Sequence, residues 1–190
     1  EMSGSSTFYF QGPAAKLETT NGIVFANQPD IVYGQSVNQS PVSLTHTNYT
    51  TYAYGGTPSP TIQVTAQFSN VTREEHEYTQ GVIHFLRSVT KMYYGDKEKE
   101  FGPVPAGTPP PVLKFSAFGS NQFNNVPVLV GSFNIPFQSD TDLVEVGGQA
   151  LPALQTIALD LLVTVNPAKQ KKDFSKAQFV TGSLYSKGFI

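Results

Sequence analysis

A chain of 190 residues carrying a net charge of −2 is long enough for one domain with a buried core, and no apolar run in it approaches the ~20 residues that span a bilayer. That charge excludes a whole-molecule basic footprint for nucleic acid, and the absence of cysteine excludes a disulfide scaffold, a thiolate metal site and a cysteine nucleophile. Charged residues make up only 14%, against ~25% in an average globular chain, so the surface is expected to be polar, charge-poor and covered by neighbours.

The chain opens on Glu1-Met2 without the charged and apolar regions of a secretory signal, and is read as a fragment or a processed product. Phe8-Tyr9-Phe10-Gln11-Gly12 looks somewhat like a protease-tag scar but departs from one at several positions, and a natural arm is the equal alternative. Residues 1–20 are expected to form an N-terminal arm and residues 21–190 the folded domain. The sequons at Asn38, Asn48 and Asn70 are read as the Asn/Thr richness of strands and turns.

Residues 1–70 carry only Glu1, Lys16, Glu18 and Asp30 as charges. Disordered tails favour charge and avoid aromatics, so this Thr-, Asn- and Tyr-rich stretch reads as extended chain that pairs with something. Short strands are expected at Ile23-Val24-Phe25 and Ile31-Val32-Tyr33, and one longer strand from Pro41 to Tyr54. Gly55 to Pro60 is a turn. From Thr61 to Ser69 the pattern alternates, with Ile62, Val64, Ala66 and Phe68 on one face, which predicts a half-buried antiparallel strand.

The period then changes. Thr72-Arg73-Glu74-Glu75 fits a capping box, and Tyr78, Val82, Phe85, Leu86, Val89, Met92 and Tyr93 follow at helical spacing. The expected helix is the only one, about six turns long, closed by Gly95. Asp96 to Glu100 reads as a solvated turn, and Gly102 to Pro111 as a stiff extended connector. Strands resume at Val112–Phe118 and Val126–Phe137, split by a turn over Gly119 to Gln122. Pro127 and Pro136 place the second of these at a sheet edge, or bend its ends. Asp140 to Ala150 reads as an acidic loop, Leu154–Val165 as the strongest strand, and Lys169 to Lys176 as an exposed turn or rim contact. The order of strands, one helix, then strands predicts a mainly β, α+β domain with the helix packed on the sheet.

Chemistry is sparse. His76 and His84 lack the i, i+4 spacing of a paired metal site, and His46 lies far off in sequence; a zinc site would need distant carboxylates. Phosphate-cradling and nucleophile-elbow motifs are missing. Asp140, Asp142 and Glu145 are a candidate for a hard cation, but without a Gly-punctuated calcium loop a solvated loop is the better reading. Glu74, Glu75 and Glu77 suit the positive end of the helix dipole. No catalytic, cofactor-binding or metal-binding residue is expected, and the chain is not read as an enzyme. Two classes survive: a carbohydrate-binding module stacking sugars on Tyr49, Tyr52 and Tyr54, and an assembly subunit whose unguarded strands add to neighbouring sheets. The charge-poor first 70 residues favour the second.

The helix from His76 through Val82-Ile83-His84-Phe85-Leu86-Arg87 to Gly95 resembles that of the baseplate tail-tube initiator proteins of contractile-tailed phages. Pro110-Pro111-Val112-Leu113-Lys114-Phe115, Phe123 to Val130, Phe133-Asn134-Ile135, Ala158 to Val163 and Phe179 to Ile190 follow in similar order and spacing. The similarity covers roughly residues 60–190. It implies a tail-tube β-barrel or sandwich flanked by a helix, forming a hexameric ring on the baseplate hub. Such a ring templates tube polymerisation and lines the DNA channel. Tube subunit and tube terminator share the fold; the helix and closing segment look most like the initiator branch. The implied partners are further copies of itself, the tube subunit above, the hub or a second initiator ring below, the tape-measure protein, and genomic DNA only in transit, with no membrane. The implied location is the virion baseplate, and host cytoplasm during assembly. Candidates for the lumen sheet are Pro41–Tyr54 and the strand near Val126–Phe137.

Overall fold

A computed structural model describes residues 9–95, 106–119, 121–137 and 141–190, and these described residues form nine strands. They are β1 (Asp30–Gly34), β2 (Asn38–Val42), β3 (Thr51–Gly56), β4 (Thr61–Ser69), β5 (Leu113–Ala117), β6 (Phe123–Asn134), β7 (Leu143–Val146), β8 (Gln149–Pro152) and β9 (Leu154–Val163). Five of them make one antiparallel sheet in the order β1-β4-β9-β6-β5, while β2-β3 and β7-β8 are separate two-stranded hairpins. The fold is mainly β with helices, α+β. The sheet curls until Tyr33 on β1 meets Phe123 on β6, with ring centroids 6.0 Å apart.

Alternation decides which face is covered. Ile62, Val64, Ala66 and Phe68 of β4 are all buried. In register beside them stand Leu161, Leu159 and Ile157 of β9, and beyond those Val128 and Val130 of β6. Helix α1 (Arg73–Val89) lies on this face through Val82, Phe85, Leu86 and Val89. Its capping box is present in both halves: the Glu75 amide donates to Thr72 Oγ1 at 3.2 Å, and the Thr72 amide to the Glu75 carboxylate at 3.1 Å.

Several elements depart from the sequence-based reading. The helix stops at Val89, about five turns long, because Thr90 caps it with a hydroxyl that donates to the Leu86 and Arg87 carbonyls at 3.0 and 3.2 Å. Gly95 has a positive φ but lies beyond that end. Tyr93 instead bridges to Thr108. Residues 23–25 form no strand. The segment taken as an arm turns into a 3₁₀ helix over Gly12–Glu18, and Phe10, Ala14 and Leu17 enter the core against α1. β6 is internal, between β9 and β5. Pro127 is tolerated there because its carbonyl faces Thr164, just past the last β9 residue of the ladder, so the missing donor falls beyond that ladder.

The region read as one strand from Pro41 to Tyr54 is a hairpin: β2 and β3 pair across a turn at residues 45–46, where His46 takes a positive φ. Most of the acidic loop is the β7-β8 hairpin, turned by Gly147-Gly148 with φ of 61° and 79°. Two positive φ values suit a two-residue turn that matches the strand twist. Two short helices, α2 (Pro167–Asp173) and α3 (Lys176–Val180), follow β9, so α1 is not the only helix. Asn166 caps α2 by accepting from the Ala168 amide at 2.8 Å, with Pro167 in the first turn. Asp96–Glu100, the start of the Pro/Gly connector, Ser120 and Asp140 lie outside the described residues.

Candidate assembly surface

Between Asp30 and Arg73 the sequence has no Asp, Glu, Lys or Arg, and the fold places the middle of this stretch wholly outside the core. Every residue from 32 to 55 is exposed, including Val37, Val42, Leu44, Tyr49, Tyr52 and Tyr54. The register pairs Gln39 with Tyr54 and Pro41 with Tyr52, so the two tyrosines share one face of the hairpin. Tyr54 is tied to Thr57 by a 2.8 Å hydroxyl–hydroxyl hydrogen bond, whereas Tyr49 sits in the connection at 87% exposure.

An isolated two-stranded ribbon is marginal in water, and soluble chains guard free strand margins with charge, proline or cover. Pro41 is the single such guard within these two strands. The outer margins of β1 and β5 are likewise unpaired by any strand among the described residues.

The sheet's outer face continues the same chemistry. Thr61, Gln63, Thr65 and Gln67 of β4 are exposed, opposite Leu162, Asp160, Ala158 and Thr156 of β9. Ser132 on β6 donates to the Asp160 carboxylate. With Asp30 and Lys114 at the flanking strands, this face is largely uncharged.

The residues considered for chemistry are not brought together. His46 is exposed in the hairpin connection; His84 is exposed on α1. His76 is buried in the first turns of α1, with Nε2 3.0 Å from Gln80 Nε2. Among the described residues, no three His, Asp or Glu side chains gather closely enough to hold a metal ion. Asp142 and Glu145 are exposed on the β7-β8 hairpin.

Two of the α1 glutamates are engaged by neighbouring donors. Amide and hydroxyl donors from Thr72 and Ser69 hold the Glu75 carboxyl below its usual range. Glu77 accepts from Lys16 and, at 2.8 Å, from Arg73, which lowers its carboxyl to about 2. Between α1 and the sheet a pocket of about 130 Å³ is lined by Phe85, Leu86, Phe115 and Leu161, small beside the ~300 Å³ at which ligand sites begin. Asn70 of the third sequon is itself fully buried, its Nδ2 donating to the Pro152 carbonyl at 2.6 Å. Asn38 and Asn48 are exposed.

No protein-family model matches the chain, and no curated protein matches it. No helix among the described residues is long and apolar enough to cross a membrane.

The protruding hairpin was hidden in sequence by its continuous β-branched and aromatic character. Its one signal was the polar run Thr45-His46-Thr47-Asn48, where the Thr47 hydroxyl donates to the Leu44 carbonyl at 3.0 Å to close the turn.

Proposed function

We propose that this protein is a structural assembly subunit that works by adding its β2-β3 hairpin to copies of itself in a closed ring, as a baseplate tail-tube initiator of a contractile-tailed phage. The observation that carries the reading is the hairpin: both strands exposed, almost unguarded, and bearing three tyrosines in a stretch free of charge. Closure of such strands into a circle removes every margin at once. The outer face of the curled sheet, which carries Lys114 beside Asp30 and Asp160, supports a channel role, because each phosphate neutralised by a lysine or arginine would add affinity and arrest DNA in transit. On this reading the ring sits on the hub, receives the tube subunit above it, and performs no catalysis.

Electron microscopy of the purified protein, alone and with phage tube subunit, tests the proposal. Rings or short stacks that seed tubes on addition of tube subunit are expected. Unaided growth into long tubes would make it the tube subunit instead. A protein that stays monomeric at high concentration overturns the reading.

Tyr52 and Tyr54 on one face of β3 favour a second reading, a glycan platform. That reading requires a monomer that binds a soluble polysaccharide and loses binding in Tyr52→Ala.

A further inference from the structure

Exposed charge is distributed unevenly along the strand axis. β4 ends, and β9 begins, at the pole where Ser69 pairs with Leu154. There the first turn of α1 exposes Glu74 and Glu75, and the β7-β8 hairpin exposes Asp142 and Glu145. The hairpin is fixed to this pole, since the Asn70 amide donates to the Ala153 carbonyl and the Ala153 amide to the Asp142 carbonyl, at 2.9 and 2.8 Å. The nearby cations Lys16 and Arg73 are both engaged by Glu77.

β9 then runs ten residues, about 33 Å, to the opposite pole. Here α2, α3 and the closing segment expose Lys169, Lys171, Lys172, Lys176 and Lys187, with Asp173 as the only carboxylate side chain after Asp160.

The basic pole also holds a cleft. It measures about 460 Å³ and is walled by Tyr54, Pro58, Phe174, Phe179 and Phe189, with Lys176 at its rim. Phe174 packs at a tilt against Phe179 and Phe189, with ring centroids 5.7 and 5.8 Å away, yet remains 42% exposed. Lys169 and Lys176 lie over the Phe189 and Phe179 rings. At the acidic pole, Leu143 is 66% exposed and shares a face of β7 with Glu145, two residues along, while Asp142 adjoins it. An apolar side chain between two carboxylates is the complement of an aromatic cleft rimmed by lysines.

We infer that the acidic pole of one copy docks end-to-end on the basic pole of the next, with Leu143 in the Phe174/Phe179/Phe189 cleft and Asp142 and Glu145 against Lys171, Lys172 and Lys176. The occupant of the cleft is thus a second copy of this chain. Because the two patches are different surfaces at opposite poles, the contact is heterologous and propagates along the strand axis. It shares only the Tyr54 side chain with the hairpin, and on the ring reading it stacks one ring on another. Charge at the rim makes it salt-sensitive, since screening shortens from about 14 Å at 0.05 M salt to about 4 Å at 0.5 M.

Sedimentation velocity of the full chain at those two ionic strengths, over a range of concentrations, reads the contact. The wild type is expected to associate at low salt and to lose at least about tenfold in association constant at high salt. Leu143→Ala, which keeps every charge, and the reversals Glu145→Lys and Lys176→Glu should each weaken association at low salt by at least about tenfold. Mixing the Glu145→Lys protein with the Lys176→Glu protein should restore it. These side chains are exposed, and circular dichroism of each variant checks its fold.

Wild-type sedimentation that ignores both salt and concentration overturns the inference, as does failure of the mixture to re-associate. So would loss of binding to a labelled oligonucleotide in Lys176→Glu with self-association unchanged, which assigns the lysines to a polyanion. Salt-sensitive chains of single copies without rings would keep this contact and sink the ring. Rings without a salt-sensitive step would do the reverse.

Discussion

Gly81 is the residue at which two opposing effects can be weighed directly. It lies in the interior of α1, where alanine would favour the helix by about 1 kcal/mol. A Cβ there would stand 2.8 Å from the Pro13 carbonyl oxygen, and that obstacle is backbone, which cannot rotate away. Overpacking of this kind costs about 1–3 kcal/mol. Gly81→Ala should therefore lower stability in chemical denaturation, and a variant more stable than the wild type would show that the 3₁₀ segment is not packed there. At the helix start, Thr72→Ala removes the side-chain half of the capping box and should cost about 1 kcal/mol by the same measurement.

At the scale of elements, the N-terminal segment is held on α1 by the apolar contacts of Phe10, Ala14 and Leu17 and by Glu77 with Lys16 and Arg73. Hydrogen bonds from those two cations lower the Glu77 carboxyl from 4.5 to about 2. A depressed acid contributes fully above its unfolded value and loses that contribution as pH falls toward the folded one. Amide exchange over residues 14–17 should therefore accelerate as pH drops from about 4.5 to about 2, after correction for the intrinsic rate. Glu77→Gln should show the loosened segment already at neutral pH, with little further change in that window. Equal acid responses in the two proteins would remove Glu77 from the account.

Across the whole molecule, no residue from 32 to 55 belongs to the hydrophobic core, so the hairpin adds little to the stability of a lone copy. Tyr52→Lys should leave the melting temperature of the monomer within about 2 °C of wild type while abolishing rings in electron micrographs. A large fall in melting temperature would mean that the hairpin braces its own subunit. Under the proposed assembly a strand margin has to remain soluble before its partner arrives, and β2-β3 carries Thr, Ser, Asn and Gln in place of charge.

Local rules in the sequence determined much of this protein. Alternation gave β4 and β9 their buried faces, helical spacing and the Thr72/Glu75 pair started α1, and charge depletion marked the segment that leaves the core. Each depends on neighbours a few residues away, so each is readable from the order of residues alone. The Gly147-Gly148 turn and the Asn166-Pro167 cap are equally local signals, each carried by two adjacent residues.

Only the tertiary structure decided the rest. Pro127 sits in an internal strand because β9 ends just where a donor would be needed. Phe10, Ala14 and Leu17 enter the core because α1 offers them a glycine-lined approach. Acidic and basic segments that lie close together in sequence are carried to opposite poles because β9 runs between them, and distances of that kind are set by which strands pair, which no local pattern encodes.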